Sequence, residues 1–257
     1  MREVEQRTGI MGQFAACFTD HGNPERLEPT VKELIAQRVY ALALGYADRN
    51  DHDPLRGDPV LAEKRDPSGE SRARERDQGK ALAGKRTLNR LELTGKEVSE
   101  EERYQKMALE EAAGDRRLGE LFLQAHQEPP QAIVLDLDAT DDPVHGNQEG
   151  RFFHGYYGHD CDLPRYIFCG DFLLCARLRP SNIEASTGSR EELERIVGQI
   201  RQAWPEVQIT LRGDAGFCRE ELMGWGEQNR VDDVLGLAKN ERRKAAIAPE
   251  RQEGAAE

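Results

Sequence analysis

The stretch Ala132-Ile133-Val134-Leu135-Asp136-Leu137-Asp138-Ala139-Thr140 decides how this chain is read. Its apolar run has the length of a buried strand, and it delivers two aspartates, Asp136 and Asp138, to the far end. A second run, Val207 to Leu211, delivers Asp214 within Arg212-Gly213-Asp214-Ala215-Gly216-Phe217. Strands that each end in a carboxylate gather oxygen ligands for a hard divalent cation. Such carboxylates repel one another when bare, and a bound cation removes that penalty. The pattern points to metal-assisted phosphodiester chemistry. The competing readings are an ordinary polar strand end with an Asx-type turn after Asp138, and a plain strand-to-helix turn around Asp214.

Working outward, the hydrophobic period changes at Pro129-Pro130, the clearest boundary in the chain. Beyond it, Ile133–Leu137, Tyr166–Cys169, Phe172–Leu178, Val207–Leu211 and Val234–Leu237 read as short strands. Leu193, Ile196, Val197 and Ile200 recur at helical spacing within Arg190–Ala203, with Ser189 as the start signal. Cys218–Gln228 is a second helix, with Leu222 and Met223 inward. Three strands followed by helix, strand, helix and strand define an α/β fold with a mixed sheet and crossover helices.

Upstream, the chain reads as mainly α-helical. Leu34, Ile35, Val39, Leu42 and Ala43 form a helical stripe after Thr30, a fitting N-cap, and the helix should stop near Gly45. Residues 48–59 form a polar turn with two Asp-Pro steps. Residues 64–80 hold almost no apolar side chains and read as a mobile linker. A short apolar stretch begins at Thr87, and helix is expected again from Val98 to Gln124. The expected organisation is a helical region over 1–63, a charged linker over 64–86, a helical segment over 87–128 and the α/β core over 130–257.

The 257 residues carry a net charge of −12, with 37% apolar and 33% charged side chains. That balance argues against a general nucleic-acid-binding surface, yet basic charge is concentrated locally. Arg72, Arg74, Arg76, Lys80, Lys85, Arg86 and Arg90 face only Glu75 and Asp77 across residues 71–90. That run suits DNA contact, with a solvated linker as the plainer alternative. The five cysteines include no CxxC pair, so reduced thiols are expected. With no apolar membrane span and no signal-peptide pattern, the reading is cytoplasmic. No Gly-rich phosphate loop, paired zinc-type histidines or Ser/Cys nucleophile motif is present. Between Gly146 and Tyr157 a polar-aromatic stretch carries Glu149, Arg151, His154 and Tyr156. It reads as a hairpin packed by its aromatics, with Arg151 and Tyr156 also able to reach DNA phosphates.

The run LDLDATDDPVHGNQEGRFFHGYYGHDCDLPRYIFCGDFLLCARLRPSN, followed by RGDAGFCREELMGW, strongly resembles bacterial insertion-sequence DDE transposases of the group-1 DDE domain class. The N-terminal ACFTDHGNPERLEPTVKELIAQRVYALALGYADRNDHDPLRGDP and KRTLNRLEL resemble the leading region of the same proteins. The likeness covers nearly the whole chain and is weakest over residues 64–80. It implies a ribonuclease-H-like core holding two Mg²⁺ or Mn²⁺ ions on an Asp, Asp, Glu triad. The first Asp falls on Asp138, which lies shortly before Thr140 as in the family motif; Asp136 is the runner-up. The second falls on Asp214. The implied reaction is cleavage of DNA at the element's ends, then attack of the freed 3′-hydroxyl on target DNA. The implied partners are transposon-end and target DNA, with homo-oligomers in the intact family and no membrane. Arg72, Arg74, Arg76, Lys85, Arg86 and Arg151 are the candidate DNA contacts.

One departure from the family pattern stands out. The family's Glu lies well downstream of the second Asp, whereas 43 residues follow Asp214 here. Glu241, Glu250, Glu253 and Glu257 do not sit in an apolar helix. The expectation is therefore a C-terminally truncated copy with an incomplete sheet and impaired strand transfer. Two alternatives accompany it: a non-catalytic DNA-binding or subunit-mixing fragment, and a stand-alone nuclease using Asp138, Asp214 and a nearby acid such as Asp136 or Glu149.

Overall fold

The structure is a computed structural model that describes residues 2–22, 29–58, 81–94 and 106–238. The linker expected over 64–80, with Arg72, Arg74 and Arg76, lies outside the described residues, as do the four glutamates after Lys239. The chain divides into two compact units, Met1–Arg117 and Leu118–Glu257.

The first unit contains helices α1 (Arg2–Thr8), α2 (Ile10–Ala15), α3 (Val31–Ala43), α4 (His52–Leu55) and α5 (Lys85–Glu92). Thr30 caps α3 as expected: its hydroxyl accepts from the Glu33 amide at 3.3 Å, and the Glu33 carboxylate accepts from the Thr30 amide at 2.8 Å. Gly45, at φ 92°, lies just past the helix end. Leu34, Tyr40, Leu82, Leu88 and Met107 are among the buried core side chains. Gln37, also buried, bridges that core. Its amide donates to the Ala83 carbonyl at 2.8 Å and reaches His52 Nδ1 at 3.0 Å, while the Ala83 amide donates back at 3.0 Å.

Where unbroken helix was expected from Val98 to Gln124, the described residues hold strand β2 (Met107–Leu109) and helix α6 (Glu111–Ala125). Strand β2 pairs antiparallel with β1 (Phe18–Asp20), a ladder between segments far apart in sequence. Residues 95–105 lie outside the described set.

The second unit is organised around a five-stranded sheet. Its strands are β3 (Ala132–Ala139), β7 (Arg165–Cys169), β8 (Phe172–Arg177), β9 (Gln208–Gly213) and β10 (Val231–Leu235), in the order β10-β9-β3-β7-β8. β9 is parallel to β3 and to β10, whereas β7 runs antiparallel to both β3 and β8. Helix α7 (Ser189–Ala203) connects β8 to β9, and α8 (Glu220–Gln228) connects β9 to β10. A mixed sheet with β3 central, a meander on one side and crossover strands on the other is the expected ribonuclease-H-like arrangement.

Alternation along β3 sets the two faces of the sheet. Ile133, Leu135 and Leu137 are buried in one core with Leu193, Ile196 and Ile200 of α7 and Leu222 and Trp225 of α8. Each such side chain contributes roughly 1.5–3 kcal/mol when fully removed from water. Val134 and Asp138 are exposed on the other face. In the last strand only Val231 is buried, and Val234 is 62% exposed. That strand was expected at Val234–Leu237; Asp232 and Asp233 interrupt its apolar run, and backbone pairing with β9 fixes its position instead.

A second, three-stranded sheet follows β3. It consists of β4 (Asp142–Pro143), β6 (His159–Asp162) and β5 (Phe152–His154), in that order. No strand was expected there except as an aromatic hairpin, and β5 with β6 forms that hairpin. Among the described residues, no helix is long and apolar enough to cross a membrane.

Candidate active site

Leu137 on β3 is paired with Gly213 on β9, and this is the last register position of the ladder. The next residue on each strand is an aspartate, Asp138 and Asp214. Parallel neighbours lie about 5 Å apart, and the two-residue period puts both acids on the exposed face, opposite to buried Leu137. The sheet therefore brings together the two residues that the sequence singled out.

Asp138 is exposed, and its carboxylate has no hydrogen bond or ion pair with a described residue. Asp214 is oriented by its own turn. Its Oδ1 accepts from the Gly216 amide at 2.8 Å, and its carbonyl accepts from the Phe217 amide at 3.2 Å. Buried Phe217 anchors this turn in the core. Two glycines pack tightly around this turn. A Cβ on Gly213 would stand 3.2 Å from Phe217 Cβ and 3.3 Å from Leu235 Cδ2. A Cβ on Gly236 would stand 3.0 Å from the Ala215 nitrogen and 3.2 Å from the Asp214 carbonyl carbon.

Asp136 shares the face with Asp138 but is engaged differently. The register places it opposite Arg212 on β9, whose Nε donates to Oδ1 and whose Nη2 donates to Oδ2 at 2.9 Å. The hydrogen bonds and charge of Asp136 push the Arg212 guanidinium further into its protonated range. Both Asp136 oxygens thus already hold a cation, while Asp138 and Asp214 Oδ2 remain available.

The turn between β5 and β6 contributes Tyr157, which the sequence did not single out. Burial raises its phenol pKa, and the negative charges of Asp141, Asp138 and Asp214 add to the rise. The hairpin therefore sets this hydroxyl within the field of both strand-end acids. The Tyr157 ring lies 4.9 Å from His154 and 5.0 Å from Tyr156, and His159 Nε2 meets Asp141 Oδ2 at 2.8 Å. Only the aromatic content of residues 152–157 hinted at this arrangement.

The other candidates are placed as follows. Arg151 folds back within the hairpin, donating to the Gly146 carbonyl and to Asn147 Oδ1 at 2.6 Å, with Asp160 at 3.3 Å. Glu149 is exposed in the same loop. In the first unit, Lys85 Nζ donates to Asn50 Oδ1 at 3.2 Å and lies 3.9 Å from Asp53, whereas Arg86 is exposed.

Hard carboxylate oxygens on two adjacent strand ends, one of them without a partner among the described residues, fit a divalent cation of the Mg²⁺ class. Among the described residues, no group of three or more His, Cys, Asp or Glu side chains is disposed to hold one.

This mixed sheet, with its paired strand-end acids, has the arrangement expected of a ribonuclease-H-like core. The profile of the transposase DDE domain, group 1, matches residues 1–257, and the chain belongs to that family. DDE transposase domains generally use divalent metal ions. No curated protein sequence matches significantly. Two solved structures are similar at 13% identity and a TM-score of 0.28: a Mos1 transposase paired-end complex with left transposon end and a pre-cleavage Mos1 transpososome. The matches cover 83% and 84% of this chain. This chain spans about 60% of the length of those proteins. At that TM-score they add nothing to the fold, which rests on the strand register above.

Proposed function

We propose that this chain acts on DNA as a DDE transposase, with Asp138 and Asp214 as its first two metal-binding carboxylates and Mg²⁺ or Mn²⁺ as the ion. The observation that carries this reading is the Leu137–Gly213 register, which sets the two acids side by side on one face. A divalent ion bound there would neutralise phosphate charge and make a coordinated water more acidic. In the cleavage step, the water oxygen bonds to phosphorus as the P–O3′ bond breaks, leaving a 3′-hydroxyl. In strand transfer, that hydroxyl displaces a 3′-oxygen from a target phosphodiester.

The side chains divide this work. Asp138 offers an unencumbered carboxylate, and Asp214 offers Oδ2 while Gly216 fixes its other oxygen. Arg212 keeps Asp136 occupied, so Asp138 rather than Asp136 fits the ligand role. Tyr157, with its phenol pKa raised, stays protonated at neutral pH and brings a hydrogen-bond donor to an otherwise acidic surface. Transposon-end and target DNA are the proposed substrates, with Arg86 of α5 as a phosphate contact and a second copy of the chain as partner.

The test is incubation of the full chain with a supercoiled plasmid carrying its own flanking DNA. Nicking that needs Mg²⁺ or Mn²⁺ and is lost in Asp138→Asn and Asp214→Asn is the expected outcome. End-specific binding without cleavage, unchanged by both substitutions, would instead define a non-catalytic DNA-binding subunit.

A further inference from the structure

Two arginines in the second unit are buried, Arg165 at 3% and Arg179 at 8% exposure. Neither belongs to the strand-end acids, and burying a guanidinium is costly unless its donors are used. Three of their five hydrogen bonds among the described residues converge on the segment between β8 and α7, residues 178–188, while Arg165 Nε and Arg179 Nη2 are buried without a hydrogen-bond partner there. Arg179 Nη1 donates to the carbonyls of Ala185 and Thr187 at 3.1 and 2.9 Å, and its Nε donates to Leu163 at 3.1 Å. Arg165 Nη1 donates to the same Thr187 carbonyl at 2.8 Å and to Ser189 Oγ at 3.1 Å. Arg165 has Glu192 at 3.8 Å, whereas Arg179 has no carboxylate partner among the described residues. Burial, and then the neighbouring Arg165 charge, lower the Arg179 pKa to about 10.

This segment ends against the Asp214 turn. A Cβ on Gly216 would lie 3.1 Å from the Ala185 Cβ, so the Ala185 methyl stands directly against Gly216. It is the Gly216 amide that holds Asp214 Oδ1. Beside Ala185, Glu184 Oε2 meets Arg219 Nε at 3.1 Å, and Arg219 in turn donates to the Ala215 and Cys218 carbonyls at 3.4 and 3.2 Å. A continuous path of contacts therefore runs from the buried guanidiniums through Ala185 to the amide that orients the second acid.

We propose that Arg179 is a positioning residue for Asp214, acting through the Ala185 carbonyl and the Ala185–Gly216 contact, with Arg165 bracing the same segment. The inference rests on the reading of Asp138 and Asp214 as cation ligands. A guanidinium suits the task because one rigid, planar group donates in several directions, which a lysine ammonium cannot reproduce in the same geometry. Outer-shell partners of this kind typically change metal affinity by about 10–100-fold when altered.

The experiment measures Mn²⁺ affinity by electron paramagnetic resonance for the full chain and for Arg179→Lys, Ala185→Gly and Asp214→Asn, with thermal melting of each. Arg179→Lys and Ala185→Gly are expected to weaken Mn²⁺ binding about tenfold at a temperature where each remains folded. Ala185→Gly leaves both guanidiniums in place, so it decides the matter if Arg179→Lys does not fold. A purely structural Arg179 would lower the melting temperature and leave Mn²⁺ affinity unchanged in Arg179→Lys, and so would Ala185→Gly. Those results, with binding still lost in Asp214→Asn, would overturn the positioning role alone. Unchanged binding in Asp214→Asn would overturn the ligand reading beneath it.

Discussion

Arg212 grips Asp136 through both carboxylate oxygens, and that ion pair separates the two aspartates of β3 into different roles. Asp136 braces neighbouring strands at an exposed site, while Asp138 two residues on has no hydrogen bond or ion pair among the described residues. Asp136→Asn is expected to retain Mn²⁺ binding and to lower the melting temperature only slightly, because an exposed pair gains little in water. Asp138→Asn should do the reverse, losing the ion while melting at or above the wild-type temperature. Isothermal titration and circular dichroism of the two variants check this.

The close approach of Gly236 to the Asp214 backbone makes a second prediction. An added methyl would stand 3.0 Å from the Ala215 nitrogen, and backbone cannot swing aside as a flexible side chain can. Gly236→Ala is expected to cost about 1–3 kcal/mol and to weaken cation binding by shifting Asp214. Urea unfolding, followed by tryptophan fluorescence, measures the first effect.

In the first unit, His52 is fully buried, and its Nδ1 lies against the Gln37 amide nitrogen. That amide can only donate, so the ring must be neutral. Burial lowers the His52 pKa, with the Arg38 charge adding to the effect. The unfolded chain then binds a proton more readily than the folded one. His52 accordingly contributes stability that is present above its ordinary pKa of about 6.5 and is lost as pH falls toward the folded value. His52→Asn should show a shallower loss of stability than wild type between about pH 7.5 and pH 5.5, measured by urea unfolding at each pH.

Glu192 on α7 accepts from Arg177 at 2.7 Å and Arg195 at 3.1 Å, with Arg165 nearby. Burial opposes its ionisation, but those arginines prevail and its pKa is lowered. Its stabilising contribution is therefore complete above the ordinary glutamate value and is lost as pH falls through the folded one. Glu192→Gln is expected to cost about 3 kcal/mol at neutral pH, because it leaves the buried Arg165 without its nearby counter-charge. The same urea unfolding, carried below about pH 4.3, should find the two proteins converging.

Much of the core was legible because its strands obey the simplest rule. β3 and β9 are short apolar runs, and α7 shows the apolar spacing of a helix lying on them. The β1–β2 ladder was not legible, since three-residue strands buried within helical composition carry no period of their own. The same holds for β4 and β6, built largely from Asp and His, whose pairing comes from the hairpin rather than from apolar alternation.

At the site, sequence spacing offered both Asp136 and Asp138. Only the register that sets Asp136 against Arg212 separates them. Arg165 and Arg179 escaped notice for a related reason. A basic residue at a strand end reads as solvent-facing, and its burial becomes visible only when the segment it holds is in place.

Mn²⁺ titration of the full chain beside Asp138→Asn, Asp214→Asn and Asp136→Asn tests the central claim most directly, with electron paramagnetic resonance reporting the bound ion. Wild type and Asp136→Asn should bind alike, and each of the other two should lose at least about tenfold in affinity. Equal binding by all four proteins would contradict the assignment of Asp138 and Asp214 as the cation-holding pair.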